Sequence, residues 1–127
     1  MKVLFLDDNK YRHEAVRSEI SFDAAFTASE AIEKLKANDY EVVFLDHDLG
    51  EQENMESGPG TGYEVAQWLA ANPKPITLVV LHSLNHAGAR NQASVLAAAD
   101  YRFLYSPFTM LRGRVRAFLD YQLDDGK

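Results

Sequence analysis

Three polar clusters stand where apolar runs end: Asp7-Asp8, Asp46-His47-Asp48, and His82-Ser83 followed by Asn85-His86. Aspartates brought together repel by about 4 kcal/mol per close pair at an effective dielectric near 20. Such a cluster persists only with protons or a cation to offset the charge, and a hard divalent ion, Mg2+ or Mn2+, is the economical answer. Mg2+ commonly takes one or two carboxylates and completes its octahedron with water and phosphate oxygens, so Asp7, Asp8, Asp46 and Asp48 are the candidate ligands. The chain has no cysteine, so any metal must be held by oxygen or imidazole. An ion placed there draws in the anionic phosphate group that an acidic protein otherwise repels. His82 and His47 are the candidate proton carriers, since an imidazole of near-neutral pKa serves as general acid or base. Asp46 has the alternative role of attacking phosphorus directly and forming a phospho-enzyme.

Residues so far apart in sequence need a scaffold that gathers them. Val3 to Leu6, Val42 to Leu45 and Ile76 to Leu81 are continuous apolar runs rich in β-branched residues, the form of parallel strands covered on both faces. Tyr101 to Tyr105 reads as a further strand and Ala24 to Thr27 as a short edge strand. Ala28, Ala31, Ile32 and Leu35 follow a helical period, and Leu111, Val115, Phe118 and Leu119 repeat it near the C-terminus. Thr27 with Glu30 fits a capping box, and Val65, Trp68 and Leu69 give a third helix its stripe before Asn72-Pro73 ends it. The first and fourth helices, about Lys10 to Ile20 and His86 to Ala98, are less clearly patterned. Five βα repeats under right-handed crossover rules predict one α/β domain over residues 1–127. It is a doubly wound, five-stranded parallel sheet of flavodoxin-like order 2-1-3-4-5 with five helices. Ligands in such sheets bind at the carboxyl ends of the strands, near the point where strand order reverses, and the three polar clusters fall there. Gly50 to Gly62 breaks the rhythm, being rich in Gly and Glu, without an apolar period, and long for a βα loop. It reads as a surface insertion, more mobile than its flanks, or as a lid that excludes water.

Plainer readings stand beside these. One of Asp7 and Asp8 can cap the first helix, and His82 can be a hydrogen-bonded core histidine. His47 can be a solvated loop residue. Asn85 can cap the fourth helix, a role compatible with phosphate binding because the free N–H groups of a helix start also face an anion. His86 and Arg90, one turn apart, read as a solvated face and His13 as surface. With 127 residues, 46% of them hydrophobic and 25% charged, the chain has the composition of a folded globular domain. Thirteen Lys+Arg against nineteen Asp+Glu give a net charge of −6, which opposes strong binding to nucleic acid or to an anionic membrane. No stretch approaches the roughly 18–20 apolar residues that span a bilayer. Met1-Lys2 runs straight into a strand rather than a signal-peptide pattern, and the expected location is the cytoplasm.

The chain resembles a response-regulator receiver domain, with Asp7-Asp8 matching the acidic pair, Asp46 the phosphoacceptor, and Pro107-Phe108 the end of the Lys-Pro-aromatic signature. Ser106 stands where that lysine should be and His82 about where the switch Ser/Thr should be, so an aspartyl phosphate would lack its usual counter-charge. A narrower resemblance is to the cyclic-phosphate-processing receiver domains, whose pattern is Asp-Asp, His-Asp-Leu, and His-Ser-x-Asn-x-x-Gly-x-x-Asn. Here these are Asp7-Asp8, His47-Asp48-Leu49, and His82-Ser83 with Asn85, Gly88 and Asn91. The resemblance implies a metal-dependent phosphoesterase acting on a small-molecule or nucleotide phosphate, with a cyclic phosphodiester as the substrate class. Ser83, Asn85, Asn91 and Ser106 are then the candidate phosphate-binding residues. The alternative it implies is a signalling module: a stand-alone receiver phosphorylated on Asp46, or a pseudo-receiver that works through a protein partner.

Overall fold

The computed structural model describes residues 1–50 and 55–124. In chain order the elements are β1 (Val3–Leu6), α1 (Lys10–Arg17), β2 (Asp23–Ala25), α2 (Ala28–Ala37), β3 (Val42–Leu45), α3 (Gly62–Ala71), β4 (Leu78–Leu81), α4 (His86–Ala98), β5 (Phe103–Tyr105), α5 (Phe108–Leu111) and α6 (Val115–Asp124). All five strands are parallel and ordered β2-β1-β3-β4-β5. Every residue of β1, β3 and β4 is buried, as continuous apolar runs require when helices cover both faces.

The pleat divides the core. Leu4, Leu6, Val43, Leu45, Val79 and Leu81 pack against the apolar stripes of α2, α3 and α4. Val3, Phe5, Val42, Phe44, Leu78 and Val80 pack on the other face, against Val16 of α1, Leu111 of α5, and Val115 and Leu119 of α6.

Helix ends follow local chemistry. Asn9 caps α1, its side chain accepting the N–H groups of Tyr11 and Arg12 at 2.9 and 3.3 Å, so neither Asp7 nor Asp8 is spent as the cap. Thr27 caps α2 by accepting Glu30 N–H, while the Glu30 carboxylate accepts from Phe26, one residue before the cap. The expected C-terminal helix is two helices, which raises the helix count from five to six among the described residues. Gly113, at φ +77, breaks the chain between Leu111 and Val115, yet both residues still bury on one face. Strand ends also shift: β2 starts at Asp23, β4 starts at Leu78 rather than Ile76, and β5 starts at Phe103. Among the described residues no helix is long and apolar enough to cross a membrane.

Candidate functional site

The register builds the site. Leu6 lies opposite Leu45, and Leu45 opposite Leu81, so the next residues, Asp7, Asp46 and His82, leave the sheet at one level. The ladder continues through them, Asp46 N–H donating to Leu6 O at 3.1 Å and His82 N–H to Leu45 O at 3.2 Å. Period-two alternation then sorts their side chains. One more step beyond Phe5, Phe44 and Val80 puts Asp7, Asp46 and His82 on the face covered by α1, α5 and α6. Asp8, His47 and Ser83 take the opposite phase.

Asp7, Asp46 and His82 are buried and present ligand atoms that all lie within 4.8 Å of one another. His82 Nε2 is 2.9 Å from Asp7 Oδ2. Its Nδ1 has no hydrogen-bond partner among the described residues, and its ring stacks 5.0 Å from Phe5. A carboxylate can only accept, so the proton sits on Nε2. Arg12, from the first turn of α1, sets its Nη1 at 3.3 Å from Asp7 Oδ2 and 3.7 Å from Asp46 Oδ2, with its guanidinium over the Phe108 ring. Burial alone would raise the Asp7 carboxyl, but His82, the Asn9 N–H and Arg12 hold it below the ordinary range. Burial pushes Asp46 up to about 6; Asp7 adds to the rise, while His82 and Arg12 oppose it. The two carboxylates in this space form a hard oxygen donor pair that fits Mg2+ or Mn2+, while His82 Nε2, which carries a proton, is not one of the ligands.

His47, Asp48, Asn85 and Asn91 form a second cluster around the opposite phase. His47 Nδ1 is 2.6 Å from Asp48 Oδ1, and His47 Nε2 is 2.8 Å from Ser57 Oγ. Asn85 caps α4 by accepting Gly88 N–H, and its amide donates to Asp48 Oδ1 at 2.9 Å and to Met55 O at 3.1 Å. Asn91 donates to Ser57 Oγ at 2.8 Å. Gly88 packs so closely that a Cβ there would run into the His47 ring. The structure thus brings Asp48 to His47 and not to the Asp7–Asp46 pair. Asp8 accepts Gly50 N–H at 3.0 Å. Ser83 Oγ accepts Asn85 N–H, and Ser106 donates its backbone N–H to Leu81 O, closing the ladder.

His13 is a correction: it is 4% exposed rather than on the surface. Its Nε2–H donates to the Asp7 carbonyl at 2.7 Å and its ring stacks 4.0 Å from Phe26; burial pushes its pKa down. It props the backbone that carries Asp7. His86 and Arg90 are exposed as expected, with the His86 ring edge-on to Tyr105. Of the loop expected over Gly50 to Gly62, residues 51–54 lie outside the described residues, so the expected mobility and lid lie partly there. Its far end is packed into the fold, for Thr61 is 1% exposed and caps α3. Sequence reasoning missed Arg12 and Ser57. The signal for Arg12 was available: a basic residue one turn into a helix that starts beside two aspartates.

Comparison with curated proteins gives no match. Among solved structures, the receiver domain of a Francisella response regulator superposes with a TM-score of 0.63 at 20% identity, covering 99% of this chain and 98% of that one. The receiver domain of NtrX from Brucella abortus gives 0.62 at 19% identity, covering 98% and 99%. The response regulator TrrA from Thermotoga maritima, in complex with Mg2+-BeF, gives 0.58 at 19%, covering 97% and 96%. At these identities the likeness shows the receiver fold. Residues 2–98 match the family described as the cyclic-phosphate processing receiver domain, and with the acidic strand ends, His47-Asp48 and the His82-to-Asn91 motif in place, the chain belongs to that family.

Proposed function

We propose that the chain is a metal-dependent phosphoesterase acting on a small-molecule or nucleotide phosphate, with a cyclic phosphodiester as the substrate class that the family's description favours. The observation that carries this reading is the buried convergence of Asp7, Asp46 and His82 beside Arg12. The complex of the Thermotoga maritima relative with Mg2+-BeF supports a cation at this edge. Asp7 and Asp46 would hold Mg2+ or Mn2+. A divalent ion bound there polarises a phosphoryl oxygen and lowers the pKa of a bound water. Arg12 offsets phosphate charge in the place of the lysine that Ser106 replaces. His82 is oriented by Asp7 through Nε2, and in its doubly protonated form it gives a proton to the leaving oxygen.

The test is turnover of cyclic and linear phosphodiesters by the purified chain with Mg2+, Mn2+ or EDTA. Metal-dependent hydrolysis lost in Asp46→Asn is the expected result. A second reading rests on the 3.7 Å approach of Arg12 to Asp46 Oδ2: a receiver that accepts phosphate on Asp46, with Arg12 as counter-charge and a protein as partner. A lasting adduct on Asp46 after acetyl phosphate and Mg2+, with no ester turned over, would select it.

Asp46 also sets a pH dependence. Its folded value of about 6 lies above the ordinary 3.8, so the proton competes with the cation below about pH 6. It also means that the metal-free fold loses Asp46's contribution as pH rises through that value. Calorimetric titration with Mg2+ is expected to show affinity about tenfold weaker at pH 5 than at pH 7.5. Equal affinity at the two values would remove Asp46 from the ligand set.

A further inference from the structure

The hydrogen bonds around His47 run in one direction. The Asp48 carboxylate accepts, so its 2.6 Å contact fixes the His47 proton on Nδ1. In the neutral imidazole His47 Nε2 is then the acceptor, and Ser57 Oγ at 2.8 Å donates to it. Asn91 donates to the same Oγ at 2.8 Å, filling a lone pair and leaving the hydroxyl hydrogen for His47. A hydroxyl aimed at an imidazole, itself oriented by a carboxylate, is the arrangement that activates a nucleophilic serine. The surroundings hold it in place. The His47 ring is fully buried against Gly88, and Asn85 clamps Asp48 and the Met55 carbonyl together.

We propose that Ser57, His47 and Asp48 form a nucleophilic relay, in which Ser57 rather than water makes the first attack on the phosphorus of a phosphate ester. The inference deepens the phosphoesterase reading and rests on it for the substrate class. Ser57 Oγ forms a bond to phosphorus as its proton passes to His47 Nε2. The phosphorus–oxygen ester bond breaks, and its electron pair leaves on the alkoxide, which takes a proton from doubly protonated His82. Water then attacks the seryl phosphodiester and gives a proton to His82. The Ser57–phosphorus bond breaks, and Oγ recovers its proton from His47. Ester and water have become acid and alcohol, and both histidines are restored.

The experiment needs no turnover. The full chain is incubated with diisopropyl fluorophosphate in EDTA and followed by intact mass and peptide mapping; attack on this probe expels fluoride and leaves a stable serine adduct. One adduct on the Ser57 peptide is expected, absent in Ser57→Ala. Labelling is expected to slow by about 10²- to 10⁴-fold in His47→Gln and in Asp48→Asn, the range of a general-base contribution. Because the His47 ring fills buried space, rates are taken per folded molecule, and Asp48→Asn, on a side chain 16% exposed, provides the arm least sensitive to packing. No adduct on Ser57 in the folded wild type, or wild-type rates in both variants, would overturn the relay. Labelling of Ser57 by a protein that hydrolyses no phosphoester with any divalent metal keeps the relay and removes the phosphoesterase reading.

Discussion

His82→Gln is expected to lower phosphodiester turnover by about 10²- to 10⁴-fold while leaving the melting temperature close to that of the wild type. Glutamine retains an N–H that reaches toward Asp7 but has no proton to give at neutral pH. The larger truncation His82→Ala mixes two effects. His82 is fully buried, with Phe5 stacked at 5.0 Å and Phe108 edge-on at 6.1 Å. Removing the ring leaves a cavity in that aromatic group and costs about 2–4 kcal/mol. Steady-state kinetics on His82→Gln, normalised to folded fraction by circular dichroism, separate chemistry from packing. Wild-type turnover in a normally melting variant would exclude His82 as the proton carrier.

Gly62→Ala is expected to produce the largest loss of stability from a single added methyl group, about 3 kcal/mol. A Cβ at Gly62 would run into the backbone carbonyl of Asp46 and the side-chain amide of Gln92. Neither neighbour can yield. Gln92 is buried and donates to that same carbonyl at 3.1 Å, and Gly62 N–H is fixed to His47 O at 2.8 Å. Gly58, four residues earlier, has open space around its would-be Cβ, so Gly58→Ala should shift stability by no more than about 0.5 kcal/mol. Urea unfolding of the two variants checks the contrast, and equal midpoints would refute the packing account.

The strands were legible because both-face burial writes continuous Val, Leu and Phe runs, and their order followed from handedness. The carboxyl-end rule then located Asp7, Asp46 and His82 correctly on one edge. What the motif pattern hid is that its residues serve two clusters: alternation beyond the strand ends sends Asp46 to one face and His47 to the other. Arg12 falls outside the motif pattern, because the resemblance places a basic residue at position 106, while the fold brings a guanidinium to Asp7 and Asp46 from α1. His13 reads as surface in the sequence because Lys10 to Arg17 is a short, polar helix with few apolar residues to mark its buried side, so one inward-facing imidazole carries no periodic signal. Ser57 lies in a segment without apolar period, where sequence gives no geometry at all.

The level alignment of Leu6, Leu45 and Leu81 makes the length of β3 a switch between two chemistries. Deleting one residue from Val42–Leu45 would invert the phase of everything after it. An imidazole would arrive among Asp7, His82 and Arg12, and a carboxylate would turn toward Gly88. Insertions of two residues would restore the faces but lift Asp46 above its partners by one pleat repeat, roughly 6–7 Å. The strand therefore tolerates exchange of one apolar residue for another far better than any change in their number, and the spacing from Val42 to Asp46 is as much a part of the site as the aspartate it delivers.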